Sequence, residues 1–336
     1  MSFTSLTATY RVVTPMFLGG AEPHGPPELR ATSVKGLIRF WWRAVKWMDI
    51  WLAHQNDENA LKALRYQEDS LFGSSRSGQS KVLLSSEWIG DPARVISDWP
   101  PNRPPLGSTY LGYGITENRS GAQTKPHKAS FLEGERDFRV IVRWHRPPSS
   151  DELENLRSAL RVLGLLGGLG SRSRRGFGSI ALSSLEGKDC HCNSVDDYEQ
   201  SLRWLVSRFL KISIPLPPIT AFCNQSRVSV SRDQAASARD AHRLIGEAYR
   251  NHRGQPSALR GRRKIAFGLP LQKIDEAHRR ASPLFLHVHP VADRFVSVAL
   301  FLPAQFHPDI ENTNHTAFYQ DVGDFLACSH FRPSLV

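Results

Sequence analysis

Leu6, Ala8, Tyr10 and Val12 alternate with Thr7, Thr9 and Arg11, the two-residue period of a half-buried strand that ends at Thr14-Pro15. A Gly/Pro-rich stretch over 19–28 separates it from a helical pattern over 33–53. Ser33 is the expected N-cap, and Leu37, Ile38, Trp41, Ala44, Val45 and Met48 share one face. A second helix over 58–71 and a strand over 81–88 follow. From about 90 to 132 the chain is rich in Pro, Gly, Ser and Arg with little periodicity and reads as a long insertion with short strands at most. Order returns with Phe138, Val140, Val142 and Trp144 as a strand, then a helix over 150–166 that breaks on Gly167-Gly168, and a strand over 179–185. That order is the βαββαβ of a ferredoxin-like fold with decorations. Beyond it, helices are expected at 195–211, 234–251 and 315–327, with strands at 283–289 and 295–302. The fold class is therefore α+β, two ferredoxin-like domains with insertions, 1–188 and 189–336, the boundary falling near 187–193.

Composition agrees with a folded chain: 40% of residues are hydrophobic, with 8 Trp and 17 Phe to fill cores. A formal net charge of +11 points to a polyanionic partner, nucleic acid above all. The longest apolar runs, such as 298–303, are too short to span a bilayer, and the first residues read as a strand without a signal-peptide core. Four cysteines in 336 residues make no disulfide framework, so the cytoplasm is the expected compartment.

Lys35, Arg39, Arg43 and Lys46 fall on one arc of the first helix, opposite the Leu37/Trp41/Met48 face. Like charges four residues apart repel by roughly 0.2–0.5 kcal/mol per pair, and Lys35 sits at the positive end of the helix dipole. A phosphate backbone along this face would relieve both costs; carboxylates elsewhere in the chain would do the same. The loop Gly170-Ser171-Arg172-Ser173-Arg174-Arg175-Gly176-Phe177-Gly178 combines glycines that admit positive φ with three arginines and no acid, the makings of a phosphate cradle. A flexible connector is the bland alternative. No Gly-Lys-Ser/Thr occurs there and the loop runs from helix into strand, so it is not a nucleotide-hydrolysing P-loop. Arg260, Arg262, Arg263 and Lys264 form a secondary basic run, and His24 and Arg30 lie in and just after the loop before the first helix.

No catalytic arrangement emerges. The 13 histidines form no HExxH, and no Gly-x-Ser-x-Gly elbow occurs. Cys190-His191-Cys192 is too tight for half of a zinc site, with Cys223 and Cys328 far along the chain, so neither metal nor cofactor is expected. His24 alone could act as the base of a metal-independent RNA cleavage. Trp41, Trp42, Trp47 and Trp51 are read as core, the alternative being a docking surface for other proteins.

The segments TPMFLGGA at 14–21 and ELRATSVKGLIRFWWRA at 28–44 resemble the signature of the first subunit of Cmr complexes, within the RAMP superfamily of CRISPR proteins. The glycine loop is similar to the one RAMP proteins carry after the last helix of a ferredoxin-like domain. FGLP at 267–270, RRASPL at 279–284 and FLP at 301–303 resemble the family's C-terminal half. The resemblance implies a type III-B effector subunit near the 3′ end of the CRISPR RNA. It would touch guide or target RNA and neighbouring RAMP subunits, with target cleavage belonging to another subunit. Lys35, Arg39, Arg43 and the loop at 170–178 would face the RNA. The competing expectation is an endoribonuclease that processes CRISPR precursor RNA through His24.

Overall fold

A computed structural model describes residues 5–20, 27–90, 95–96, 106–113, 115–117, 125–126, 131–132, 136–254, 261–271, 275–305 and 315–335. The first half runs β1 (Ser5–Val12), α1 (Ala31–His54), α2 (Asp57–Phe72), β2 (Val82–Trp88), α3 (Leu106–Leu111), β3 (Asp137–Trp144), α4 (Ser150–Leu166), β4 (Ile180–Leu185) and β5 (Lys188–Asp189). Its antiparallel sheet has the order β2-β3-β1-β4-β5. The second half runs α5 (Val195–Leu210), β6 (Arg227–Val230), α6 (Ala238–Gly254), β7 (Leu269–Leu271), β8 (Asp275–Arg280), β9 (Leu284–Val291), β10 (Arg294–Phe301) and α7 (His315–Leu326). Here β6, β10 and β9 form a sheet. The C-terminal segment adds to the free edge of β6 through Arg332 N donating to Val230 O (2.8 Å) and Leu335 N to Val228 O (2.9 Å).

Numbered by chain order within each sheet, the first reads second, third, first, fourth, fifth and the second reads second, third, first with the C-terminal segment in the fourth place, so the ferredoxin-like order occurs in both halves. Alternation sets the first sheet's buried face: Leu6, Ala8, Tyr10 and Val12 of β1 lie beside Phe138, Val140, Val142 and Trp144 of β3, all enclosed. The helices α1 and α4 cover that face. Trp41, Trp42 and Trp47 are buried in it and Trp51 is partly so, which is the core role expected of them. The second half shares this core, since Trp41 meets Phe285 (ring centroids 5.5 Å) and Phe222 (6.4 Å), and Phe222 N donates to Ala44 O.

Several expectations shift. The helix α1 begins at Ala31 with Arg30 as N-cap, not at Ser33, because Ser33 N donates to Arg30 O in a tight first turn. The helix α6 begins at Ala238, since Ala235 is committed to a bridge with Phe295 and Ser237 caps the helix through Asp240 N. The strand β6, the β7–β8 hairpin and the C-terminal edge were not among the expected elements. The insertion holds more than the short strands expected of it, which occur at Val95–Ile96, Thr116–Glu117, Lys125–Pro126 and Phe131–Leu132: its helix α3 docks on α6, where Gly107 and Gly246 meet backbone to backbone. Among the described residues no helix is long and apolar enough to cross a membrane.

Candidate nucleic-acid interface

The start of α1 differs from those of α2, α4 and α5. Those three are capped by Asn56, Ser149 and Ser194 and carry acids in the first turn. Arg30 makes no side-chain cap bond and the first turn of α1 holds no acid. The N–H groups of Ser33 and Val34 donate to Arg30 O, so those of Ala31 and Thr32 are left at the positive dipole end beside two cations, exposed Arg30 and half-buried Lys35. Burial, then the neighbouring Arg39, pulls the Lys35 pKa below its ordinary value. Among the described residues Lys35 makes no ion pair.

The rest of the basic arc is neutralised from within. Arg39 Nε donates to Glu68 Oε1 at 2.7 Å, and Arg43 Nη1 reaches the same oxygen. Glu68 is buried while both arginine side chains stay about one-third exposed. Lys46 is itself buried and donates to Asp151 Oδ2 at 2.9 Å. It is thus not on the open polar face that helical periodicity gave it. A signal for Glu68 existed in the sequence: it follows Ala60 and Leu64 at four-residue steps on the apolar stripe of α2, and a carboxylate there needs a buried partner.

The glycine loop divides in two. Its tip, Gly170, Ser171 and Arg172, faces outward against the chain leaving β1, with Ser171 N donating to Phe17 O at 2.9 Å. Gly170 has φ +95° and a Cβ there would lie 2.5 Å from Phe17 O, so only glycine fits. Arg172, at φ 59°, holds the same left-handed region without being glycine. The remainder turns inward. Arg174 stacks on Phe285 (4.4 Å) and Phe40 (5.2 Å) and donates to Ser282 O. Burial, then Arg280 and Arg175, pushes its pKa down to about 10. Arg175 stacks on Tyr249 at 4.8 Å and donates to its hydroxyl and to Phe267 O. Phe177 is fully enclosed, its ring 4.4 Å from that of His242. The carbonyl of buried Gly176 accepts from Thr14 Oγ1 at 2.7 Å, and Gly178 N donates to Pro15 O at 2.8 Å.

The loop is therefore a staple joining the two halves, and the phosphate cradle expected of it is largely filled: the amides of Leu169, Ser171, Arg175, Gly176 and Gly178 already donate to protein carbonyls. What remains accessible is the tip. Of the secondary candidates, His24 and Arg260 lie outside the described residues. The backbones of Arg262 and Arg263 lie in a 3-10 turn (Gly261–Phe267) that also holds half-buried Lys264.

Buried histidines brace the staple, which residue patterns did not foretell. His242 Nε2 lies 2.9 Å from Arg175 O and its Nδ1 3.0 Å from Ser108 Oγ of α3. His287 Nδ1 lies 2.9 Å from Gly167 O, and His289 stacks on Tyr198 at 4.0 Å. Burial pushes the His242 pKa down to about 4, that of His287 to about 3, and that of His289 in the same direction. Among the described residues no three His, Cys, Asp or Glu side chains are grouped to hold a metal ion.

Two ferredoxin-like sheets pinned by a glycine-rich loop after α4 define the class, and a sequence model of the RAMP superfamily matches residues 9–181, so the chain belongs to that superfamily. Within it the likeness is to Cmr1. The chain is 31% identical over 183 residues to CRISPR system Cmr subunit Cmr1-2 of Pyrococcus furiosus, covering 52% of this chain and 92% of that one. It is 26% identical over 308 residues to Cmr1-1 of the same organism, covering 85% and 84%. The crystal structure of apo Cmr1 from Pyrococcus furiosus superposes with a TM-score of 0.62 at 22% identity, over 96% of this chain and 97% of that one. A chain of the cryo-EM structure of the type III-B Cmr-beta complex bound to cognate target RNA superposes with a TM-score of 0.55 at 11% identity, over 97% and 100%.

Proposed function

We propose that this chain is a structural subunit of a type III-B CRISPR Cmr effector complex, built of two domains, 1–188 and 189–336, that grips guide or target RNA and cuts neither. The observation that carries the reading is the uncapped, acid-free first turn of α1 with Arg30 and Lys35 beside it. The open loop tip Ser171–Arg172 is tied to the β1 exit that leads into that helix. Amide groups and cations at such a surface bind phosphates without reading bases, leaving sequence recognition to guide pairing. The Cmr1 relatives and the RNA-bound Cmr-beta complex of the same fold supply the biological setting. Arg39 and Arg43 border this surface while holding Glu68; Lys46, Arg174, Arg175 and Phe177 position it. Free thiols at Cys190, Cys192, Cys223 and Cys328 agree with work in the reducing cytoplasm.

The test is RNA binding by the Lys35→Glu/Arg172→Glu double variant, its fold checked by circular dichroism. The expected result is at least about tenfold weaker binding at moderate salt. Wild-type affinity in the folded variant would overturn the assignment. Cleavage of labelled CRISPR precursor RNA in EDTA by the wild type, lost in His24→Ala, would turn it toward the endoribonuclease.

A further inference from the structure

On the side of the molecule formed by α4, α5 and β4, a cavity of about 450 Å³ opens beside Trp204. Leu165 and Leu182 contribute apolar wall; Gln200 and Ser201, one helical turn before Trp204, line it as well. The neighbours of Trp204 on α5, Leu202, Leu205, Val206 and Phe209, are all buried, yet Trp204 is 60% exposed. The Arg161 guanidinium lies 5.6 Å from its centroid. A large aromatic ring left in water at the mouth of a partly apolar cavity, with a guanidinium stacked on it, is the composition of a binding hot spot.

Charge decides what fits there. Arg161 is paired with Glu154 at 3.4 Å, Arg157 with Glu186 at 2.8 Å, and His191 sits against Asp189. The net positive charge of the chain is thus cancelled locally, and the arginine on the cavity wall is already engaged by a carboxylate. An RNA backbone gains little at such a wall, whereas an uncharged apolar group meets no net charge there and can cover Leu165, Leu182 and the Trp204 ring. We propose that this cavity is a docking socket for a large apolar side chain projecting from a neighbouring subunit of the Cmr assembly. The proposal rests on the reading above that this chain works in that assembly. Its volume lies within the range of ligand-sized pockets, about 300–1,000 Å³, room for one aromatic or long aliphatic side chain with part of its flanking backbone.

Two measurements on the full chain, co-expressed with the other Cmr subunits and CRISPR RNA, test the socket. In the first, the complex is purified through a tag on another subunit. Trp204→Ala should reduce the amount of this chain retained by about tenfold or more, and Trp204→Phe should restore most of it. RNA binding by the isolated Trp204→Ala chain should equal that of the wild type, which shows that the variant is folded. In the second, a photo-crosslinking phenylalanine analogue at position 204 should join this chain to one other Cmr polypeptide. Equal retention of wild type and Trp204→Ala would overturn the socket, as would crosslinks to RNA, to a second copy of this chain or to nothing. Failure of the wild type to co-purify would instead overturn membership in the assembly, and the socket with it.

Discussion

The imidazole of His242 on α6 lies 2.9 Å from the carbonyl oxygen of Arg175 in the glycine loop. With Nε2–H donating to that carbonyl, Nδ1 is left to accept from Ser108 Oγ. One neutral ring thus links the loop, α6 and α3.

A pH dependence of stability follows. Burial pushes the His242 pKa down to about 4, whereas in the unfolded chain it returns to about 6.5. Above about pH 6.5 both states are neutral and the ring contributes its full stabilising contacts. Between about 6.5 and 4 the unfolded state binds the extra proton, so unfolding free energy falls by up to about 1.4 kcal/mol per pH unit. His287, pushed down to about 3, adds in the same direction. Urea unfolding at pH 7.5, 6 and 5 should give progressively lower midpoints, and His242→Gln should flatten the trend. An unchanged slope in the variant would remove His242 from the account.

Glu68 is the point on which Arg39 and Arg43 converge. Because Glu68 is buried and the arginines are only one-third exposed, Glu68→Gln should cost about 1–3 kcal/mol, well below a fully enclosed triad. Reversing Arg39 and Arg43 to Glu should cost more, since three carboxylates would then crowd one place. Chemical denaturation measures both; a neutral Glu68→Gln would mean that solvent already screens the cluster.

The strands β1 and β3 and the faces of α1 and α4 were legible in the sequence because each buries one side and exposes the other, and that leaves a periodicity along the chain whatever the partner. The basic arc on α1 was legible for the same reason. Its neutralisation was not, because Glu68 lies 25 residues beyond Arg43 and Asp151 105 residues beyond Lys46. The glycine loop shows the limit most clearly. Composition marks Arg172, Arg174 and Arg175 as equivalent cations. Their fates are set by aromatic and carbonyl groups far along the chain, Tyr249 and Ser282 among them. The strand β6 alternates polar and apolar over Arg227-Val228-Ser229-Val230 but is only four residues long, too short a run to mark a strand by itself, and the C-terminal edge passes through Pro333.

The docking of α3 on α6 depends on two residues without side chains. A Cβ on Gly246 would lie 2.4 Å from Gly107 O, and one on Gly107 would lie 2.1 Å from Arg243 O. Gly246→Ala should therefore push α3 off α6, weaken the His242–Ser108 bond, and destabilise by about 1–3 kcal/mol despite alanine's better helix propensity. Gly36→Ala in α1, where a Cβ meets nothing within 4 Å, is the control and should stabilise by up to about 1 kcal/mol. Calorimetry should show opposite shifts in Tm; two shifts of the same sign would refute the packing argument.

Salt dependence separates residues that grip RNA from residues that position them. A cation contacting a single-stranded phosphate contributes about 0.7 to the slope of log affinity against log salt. Lys35→Ala and Arg172→Ala should each lower that slope by about this amount with little change in Tm, because neither side chain holds the core. Arg174→Ala should behave oppositely. Its guanidinium lies over the rings of both Phe285 and Phe40 and donates to Ser282 O, so its loss should lower Tm while leaving the slope near wild type at temperatures where the chain is folded. If Arg174→Ala lowered the slope and Arg172→Ala did not, the inward half of the loop would be the RNA contact, and the staple would have to open when RNA binds.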